Sequence, residues 1–332
     1  PDLKPETVTS NEFGLEFAAL NNRLSVDFSI YNIVTTDLIF NVPVPAATGF
    51  SFFKENIGEV SNSGIELSIS ATPIETANFV WQSTLFYAAN KNTLNKLTDG
   101  LESITYNVTN SGNATLRATV GGSIGDIYGT VWDTDVSGNN IVNANGIAIA
   151  SNPDNLLGNA QPDWIGGWSN TFMFKGLSLS FLIDARIGGQ IYADTGAALD
   201  GRGVSERSLL YRETGVTLDA IDTSTNSKNT SQITGQEYWN TYSTIAENYV
   251  YEQDNVRLRE LALGYQFNDL SKIGIDRASI QLIGRNLFFL SKSAPNDFDP
   301  ESMLGTSLTG VGFNSFNMPT LRSLGLNLTL IF

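Results

Sequence analysis

A period of two runs through nearly the whole chain. In the last segment Leu324, Leu326, Leu328, Leu330 and Phe332 share one face, while Gly325, Asn327 and Thr329 occupy the other, with Ile331 the exception. Upstream, Phe13, Leu15, Phe17 and Ala19 oppose Glu12, Gly14, Glu16 and Ala18. Leu24, Val26, Phe28 and Ile30 oppose Arg23, Ser25, Asp27 and Ser29, and Ile65, Leu67, Ile69 and Ala71 oppose Gly64, Glu66, Ser68 and Ser70. The alternation returns from Phe79 to Tyr87, Trp164 to Phe174, Leu177 to Ile183, Leu261 to Phe267 and Ala278 to Leu282. Successive side chains of a strand point to opposite faces, so each stretch predicts a strand that is apolar on one side.

A soluble sandwich alternates in the same way. Two features favour a barrel. The second face is rich in Gly, Ser, Asn and Thr with scattered charges, as a wet lumen requires. The connections also alternate in length. Asn21-Asn22-Arg23, Pro73 to Ala77, Lys175-Gly176 and Asn268 to Asp276 are short, whereas about 43–54, 94–163, 193–246 and 293–316 are long. Outer-membrane barrels keep short turns in the periplasm and long loops outside, and structureless loops of this length are foreign to a compact domain. The expectation is an all-β fold: an antiparallel transmembrane β-barrel in the outer membrane of a Gram-negative bacterium. A first strand over about 9–21 running down from outside, and an end on the periplasmic side at Phe332, require an odd number of strands, about nine. Complete bacterial barrels have an even number. The expected unit over 1–332 is therefore an incomplete wall, the C-terminal part of a barrel whose other strands lie before Pro1 or in another chain.

Composition narrows the chemistry. Charged residues make up 16% of the 332 residues, against about 25% in globular domains. The net charge of −15 argues against a nucleic-acid partner. No apolar run approaches the roughly 18 residues of a membrane helix. Pro1 is neither an initiator Met nor the start of a signal peptide, which points to a mature, truncated or fragmentary chain. Without Cys or His, thiol catalysis, Ser-His-Asp arrangements and most zinc chemistry are excluded. Carboxylate pairs cleave glycosides in other folds, but no acid here stands in a recognisable pocket-forming motif. The chain is expected not to be an enzyme, and no cofactor is implied.

Several motifs, in order, resemble one family. Asp2-Leu3-Lys4-Pro5-Glu6-Thr7, followed by Asn11-Glu12-Phe13-Gly14-Leu15-Glu16, is similar to a stretch common in TonB-dependent outer-membrane receptors, as is Asn56 to Val60 with Asn62 to Leu67. Arg257-Leu258-Arg259-Glu260-Leu261-Ala262-Leu263-Gly264-Tyr265 resembles a strand of the SusC/RagA branch, the large nutrient importers of the Bacteroidetes. Gly284-Arg285-Asn286-Leu287-Phe288, Asp299-Pro300-Glu301, Pro319-Thr320-Leu321-Arg322 and Ile124 to Gly129 resemble further motifs of that branch. The resemblance implies a twenty-two-stranded barrel around an N-terminal plug, with a SusD-like surface lipoprotein as a lid. It also implies import of an oligosaccharide or peptide substrate powered by the TonB complex, and a possible homodimer of transporter–lid pairs. The chain departs from the pattern in having no plug and no TonB box, so gating and energy coupling attach to no residue here. A transporter-like barrel serving as a structural scaffold in a larger outer-membrane complex is the alternative.

The candidate residues each have a plainer role beside the functional one. Tyr211, Tyr238, Trp239 and Tyr242 in the loop 193–246 are candidates for contact with substrate or lid, or they pack the loop on itself. Glu12, Glu16, Asp27, Glu66, Asp184, Arg186, Glu260 and Arg285 are expected to face the lumen, where they keep it wet and pair across strands. Of the charges high on the wall, Arg257, Arg259 and Arg285, with Glu260, are the candidates for contact with the plug or an anionic group. Trp164, Trp168, Tyr265, Phe267, Phe288 and Phe332 read as interface aromatics. A terminal aromatic such as Phe332 also resembles the signal read by the outer-membrane insertion machinery. Asp133, Asp135, Ser137 and Asn139 have the spacing of a calcium loop, but Ala144 stands where the bidentate acid belongs, and a solvated hairpin is the alternative. The Asn-x-Ser/Thr triplets at Asn107, Asn113 and Asn229 are expected to carry no glycan.

Overall fold

The computed structural model describes residues 3–43, 46–50, 52–98, 100–109, 111–267, 274–305 and 310–332. The nine predicted strands are present. They are β1 (Thr7–Ala19), β2 (Leu24–Pro43), β3 (Phe52–Glu75), β4 (Phe79–Leu97), β5 (Trp164–Phe174), β6 (Leu177–Ile187), β7 (Asn255–Phe267), β8 (Arg277–Lys292) and β9 (Ser323–Ile331). They form one sheet in chain order, each antiparallel to the next. Among the described residues, β1 and β9 are the edges and the sheet does not close on itself.

The register puts the two predicted faces where the pattern requires. Phe13 lies opposite Ile30, Ile30 opposite Ile65, and Ile65 opposite Ala89, so one apolar row crosses four strands. Trp168 lies opposite both Leu85 and Ile183. Phe13, Ile30, Ile65, Leu85 and Trp168 remain exposed, as does Leu326 of β9 at 69%. That is the inverse of a water-soluble sheet and suits a surface whose solvent is lipid. No helix among the described residues is long and apolar enough to cross a membrane.

Local chemistry explains the short turns. Lys175 and Gly176 both have positive φ (47° and 90°), the geometry of the two-residue turn that matches strand twist. At the first turn, Leu20, Asn21 and Asn22 all lie in the left-handed region (54°, 55° and 64°), which Asn tolerates better than most residues. The turn predicted at Asn268 to Asp276 falls mostly on 268–273, outside the described residues.

The long connections differ from the expectation of structureless loops. Within 94–163, Ser103–Val108, Ala114–Thr119, Asp126–Gly129 and Asn155–Asn159 form a four-stranded antiparallel sheet. Within 193–246 lie two helices, α1 (Asp194–Gly201) and α2 (Gly235–Tyr242). The short strand Gln190–Ala193 pairs antiparallel with Val250–Glu252 and parallel with Phe313–Asn314, tying the last loop to the rest. The reason is burial. Leu116, Ile127, Tyr192, Tyr249 and Phe313 build a core of their own at this end of the sheet. Beneath it, Phe40, Ile57 and Val60 on β2 and β3 pack with Leu94, Leu97 and Ile104. β2 and β3 are 20 and 24 residues long, about twice the 9–11 of a spanning strand. Their upper halves therefore serve this cap rather than the membrane.

Candidate functional site

The inner face of β6, β7 and β8 carries the densest polar network. β7 is bulged, with register shifts between Val256 and Arg257 and between Leu258 and Glu260. A bulge adds one residue and re-aims its neighbours, so Arg257, Arg259 and Glu260 all engage charged partners on the inner side. Arg257 is opposite Asp184 of β6, and Glu260 is opposite Arg285 of β8.

Glu301 is the centre of this network. Arg257 Nη1 donates to its Oε2 at 2.8 Å, and Arg259 Nη1 donates to the same oxygen at 3.0 Å. Arg259 Nη2 reaches Glu301 Oε1 at 2.5 Å, while Arg259 Nε donates to Asp184 Oδ2 at 2.7 Å. Arg257 is only 4% exposed and its guanidinium lies 4.5 Å from the Phe289 ring centroid. Two acids and two bases thus balance. Such a cluster is tolerable away from bulk water because each charge has a partner. Glu301 belongs to the last extracellular loop, so these bonds draw that loop down onto the wall.

The neighbouring motifs serve the same latch. Asn286, at φ 51°, donates from Nδ2 to Leu321 O at 3.1 Å, and its Oδ1 accepts from Arg259 Nη1 at 3.0 Å. Asp299 Oδ2 accepts from Thr320 N (2.8 Å) and Thr320 Oγ1 (2.6 Å), and its Oδ1 accepts from Glu301 N at 3.0 Å. Burial alone would raise the Asp299 carboxyl. The hydrogen bonds from Thr320 and Glu301, with Arg257 nearby, bring it below its ordinary value instead. Three separate motifs, 284–288, 299–301 and 319–322, therefore meet at one place.

The remaining candidates divide. Arg285 Nε donates to Glu260 Oε2 at 2.8 Å, a cross-strand pair at a largely exposed position. Arg257 and Arg259 have their charge matched within the chain. Tyr211, Tyr238, Trp239 and Tyr242 are brought together: Tyr211 meets Tyr238 at 5.1 Å between ring centroids, and Tyr238 meets Trp239 at 5.0 Å and Tyr242 at 5.3 Å. Trp239 is 6% exposed and donates from Nε1 to Leu210 O, so it packs the cap, whereas the three tyrosines are half-buried. Desolvation, with neighbouring Tyr242, Tyr211 and Asp200, pushes the Tyr238 hydroxyl up to about 12. Asp133, Asp135, Ser137 and Asn139 form an exposed hairpin in which Asp135 Oδ1 accepts from Ser137 N (2.8 Å) and Asn139 N (2.9 Å). Among the described residues no three acids gather as a metal site would require. Phe332, 81% exposed, follows directly on β9. Residues that sequence reasoning did not assign are Glu301, Asp299 and the fully buried Gln253, which donates to Pro300 O at 2.8 Å. The only signal for Glu301 was its motif.

Comparisons with known proteins agree with this architecture. The family model described as TonB dependent receptor-like, beta-barrel matches residues 1–287. TonB-dependent receptor P3 of Formosa agariphila is 27% identical over 361 aligned residues, taking in 100% of this chain and 34% of that protein. TonB-dependent receptor SusC of Bacteroides thetaiotaomicron is 26% identical over 92% of this chain and 30% of its own length. The solved structure of the RagAB peptide transporter superposes with a TM-score of 0.70 at 22% identity over 98% of this chain and 35% of that one, a likeness of fold. The chain spans about a third of the length of these relatives. It belongs to the TonB-dependent receptor-like β-barrel family, and its place is the outer membrane.

Proposed function

We propose that the chain forms the C-terminal wall of a TonB-dependent importer that takes up oligosaccharides or peptides with a SusD-like surface lipoprotein as its lid. The observation that carries this reading is a wall with an exposed apolar outer face and a hydrogen-bonded polar inner face, whose last external loop is fastened inward through Glu301. A wall of this kind supplies a passage, and energy and gating come from the plug and TonB contact of the whole protein. Half-buried Tyr211, Tyr238 and Tyr242 suit contact with cargo or lid. Arg285 and Glu260, the exposed charge pair, suit contact with the plug. Phe332 suits recognition by the insertion machinery, and Phe332→Ala is expected to slow assembly in cells several-fold, read as delayed appearance of the heat-modifiable folded band.

Uptake by cells carrying the full-length protein tests the importer reading. Uptake of the cognate nutrient is expected to stop when TonB is deleted or the proton gradient is collapsed, and a surface lipoprotein is expected to co-purify in equal amount. Uptake that survives both treatments would overturn it.

A further inference from the structure

Beside the latch the inner wall holds a cavity of about 310 Å³. One side is apolar: Phe86 of β4 and Ile165 of β5, with Pro300 and Met303 of the last loop above them. The Phe86 ring lies against the wall where β5 has Gly167, since a Cβ there would fall 2.2 Å from Phe86 Cζ. The other side is polar and carries three charged residues: Asp184 and Arg186 of β6, and Glu301.

Both acids are already engaged. Asp184 Oδ2 accepts from Arg259, and Asp184 Oδ1 is closed off from the cavity. The two oxygens of Glu301 accept from Arg257 and Arg259. Arg186, Arg257 and Arg259 thus face two carboxylates, and one positive charge is left over. It falls to Arg186, which makes no ion pair among the described residues. Its guanidinium is anchored from one side. Nη2 donates to Ala160 O (2.8 Å) and Gln253 Oε1 (2.9 Å), and Nε is closed off. Nη1 is neither hydrogen-bonded to a described residue nor closed off, so it is the nitrogen that Arg186 presents to the cavity.

A guest that answers one leftover charge carries a single negative charge. A phosphate monoester brings a second one beside Asp184 and Glu301. A sugar ring brings hydroxyls that Phe86, Ile165, Pro300 and Met303 leave unpaired. A carboxylate on an apolar body suits both sides. One oxygen accepts from Nη1 in a charge-assisted hydrogen bond, the other stays in the water of the lumen, and the body lies on the apolar side. An apolar C-terminal residue of a peptide has this form, and so does a free branched-chain acid.

We infer that this cavity is a binding subsite for a monocarboxylate with an apolar body, held by Arg186 Nη1. The inference rests on the importer reading and narrows its cargo to one that carries such a group. Calorimetry on the purified full-length protein uses three probes: acetyl-Gly-Gly-Leu, its C-terminal amide, and 4-methylpentanoate, a carboxylate with a similar body and no peptide. The free-acid peptide is expected to bind about ten-fold or more tightly than the amide. Arg186→Met removes the charge, and Met303→Trp fills the cavity from the loop without touching the bonds of Arg186. Each variant is expected to erase the preference for the acid, with the heat-modifiable band showing that it folds. Binding of 4-methylpentanoate that both variants abolish assigns the subsite to the carboxylate and its body alone. Its failure to bind where the peptide acid binds assigns the subsite to a peptide C-terminus. Three results would overturn the subsite: equal affinity for acid and amide in the wild type, a preference for the acid that survives in both variants, or a structure at saturating acetyl-Gly-Gly-Leu in which Arg186 pairs with an acid of the protein instead. Each of these leaves TonB-dependent uptake by the wild type intact. Wild-type uptake that is indifferent to TonB instead sinks the importer reading itself.

Discussion

Glu301 gathers three guanidinium hydrogen bonds from two arginines on one strand, and nothing else among the described residues bonds to its carboxylate. Glu301→Gln keeps the shape and removes the charge, leaving nearly buried Arg257 without a full counter-charge. Breaking a buried pair by losing one partner costs about 3–5 kcal/mol, so a clear fall in the unfolding temperature of the full-length protein is expected. An unchanged unfolding temperature would count against the latch. Asp299 adds a pH dependence. Its folded carboxyl sits below its ordinary value, so its stabilising bonds to Thr320 are fully present above about pH 4 and are lost as pH falls further through the folded value. Limited proteolysis of 293–305 is expected to accelerate at pH 3 relative to pH 6 in wild type, and Asp299→Asn is expected to remove that difference. The period of two made Asp184 visible as an inner-face charge, but it puts Arg257 and Arg259 in phase with Leu261 and Leu263, and only the bulges at Val256/Arg257 and Leu258/Glu260 turn them toward the inner network. It did not show that Glu301 would answer them, because a contact across 42 residues leaves no mark on local periodicity.

At the scale of elements, strands and cap were unequally legible. Strands of 9 to 24 residues repeat their alternation often enough to be read. The cap is built from pieces too short for that: helices of eight residues and strands of two. α2 did leave one readable trace, a capping box in which Thr234 Oγ1 accepts from Glu237 N (3.2 Å) and Thr234 N donates to Glu237 Oε2 (2.8 Å). Its buried Trp239 anchors the aromatic cluster, and the Arg207 guanidinium lies 5.7 Å from that ring and 5.0 Å from Tyr249. Arg207 is in turn ion-paired to buried Asp200. Removing a buried Trp from a packed core costs about 3–5 kcal/mol. Trp239→Ala is therefore expected to loosen 205–242 locally, with faster hydrogen exchange in α2 and unchanged exchange in β5 to β9. Equal acceleration in the strands would mean that cap and wall unfold as one unit.

For the whole molecule the governing fact is that its two faces meet different solvents. Adjacent residues of β9 separate them: Leu326 pairs with Leu282 on the apolar side, and Asn327 pairs with Gln281 on the polar side. An arginine on the lipid face near the bilayer midplane costs about 2–4 kcal/mol, whereas the same residue facing the lumen stays hydrated. Leu326→Arg and Asn327→Arg in the full-length protein lie one position apart on the same strand and change the net charge equally, so chain length and assembly route are shared. Refolding into phospholipid vesicles is expected to be impaired for Leu326→Arg and close to wild type for Asn327→Arg, read by the heat-modifiable shift of the folded band. If both variants refold alike, the exposed leucines of β9 do not face lipid. The nine strands would then have to find another cover for a face that water alone does not suit.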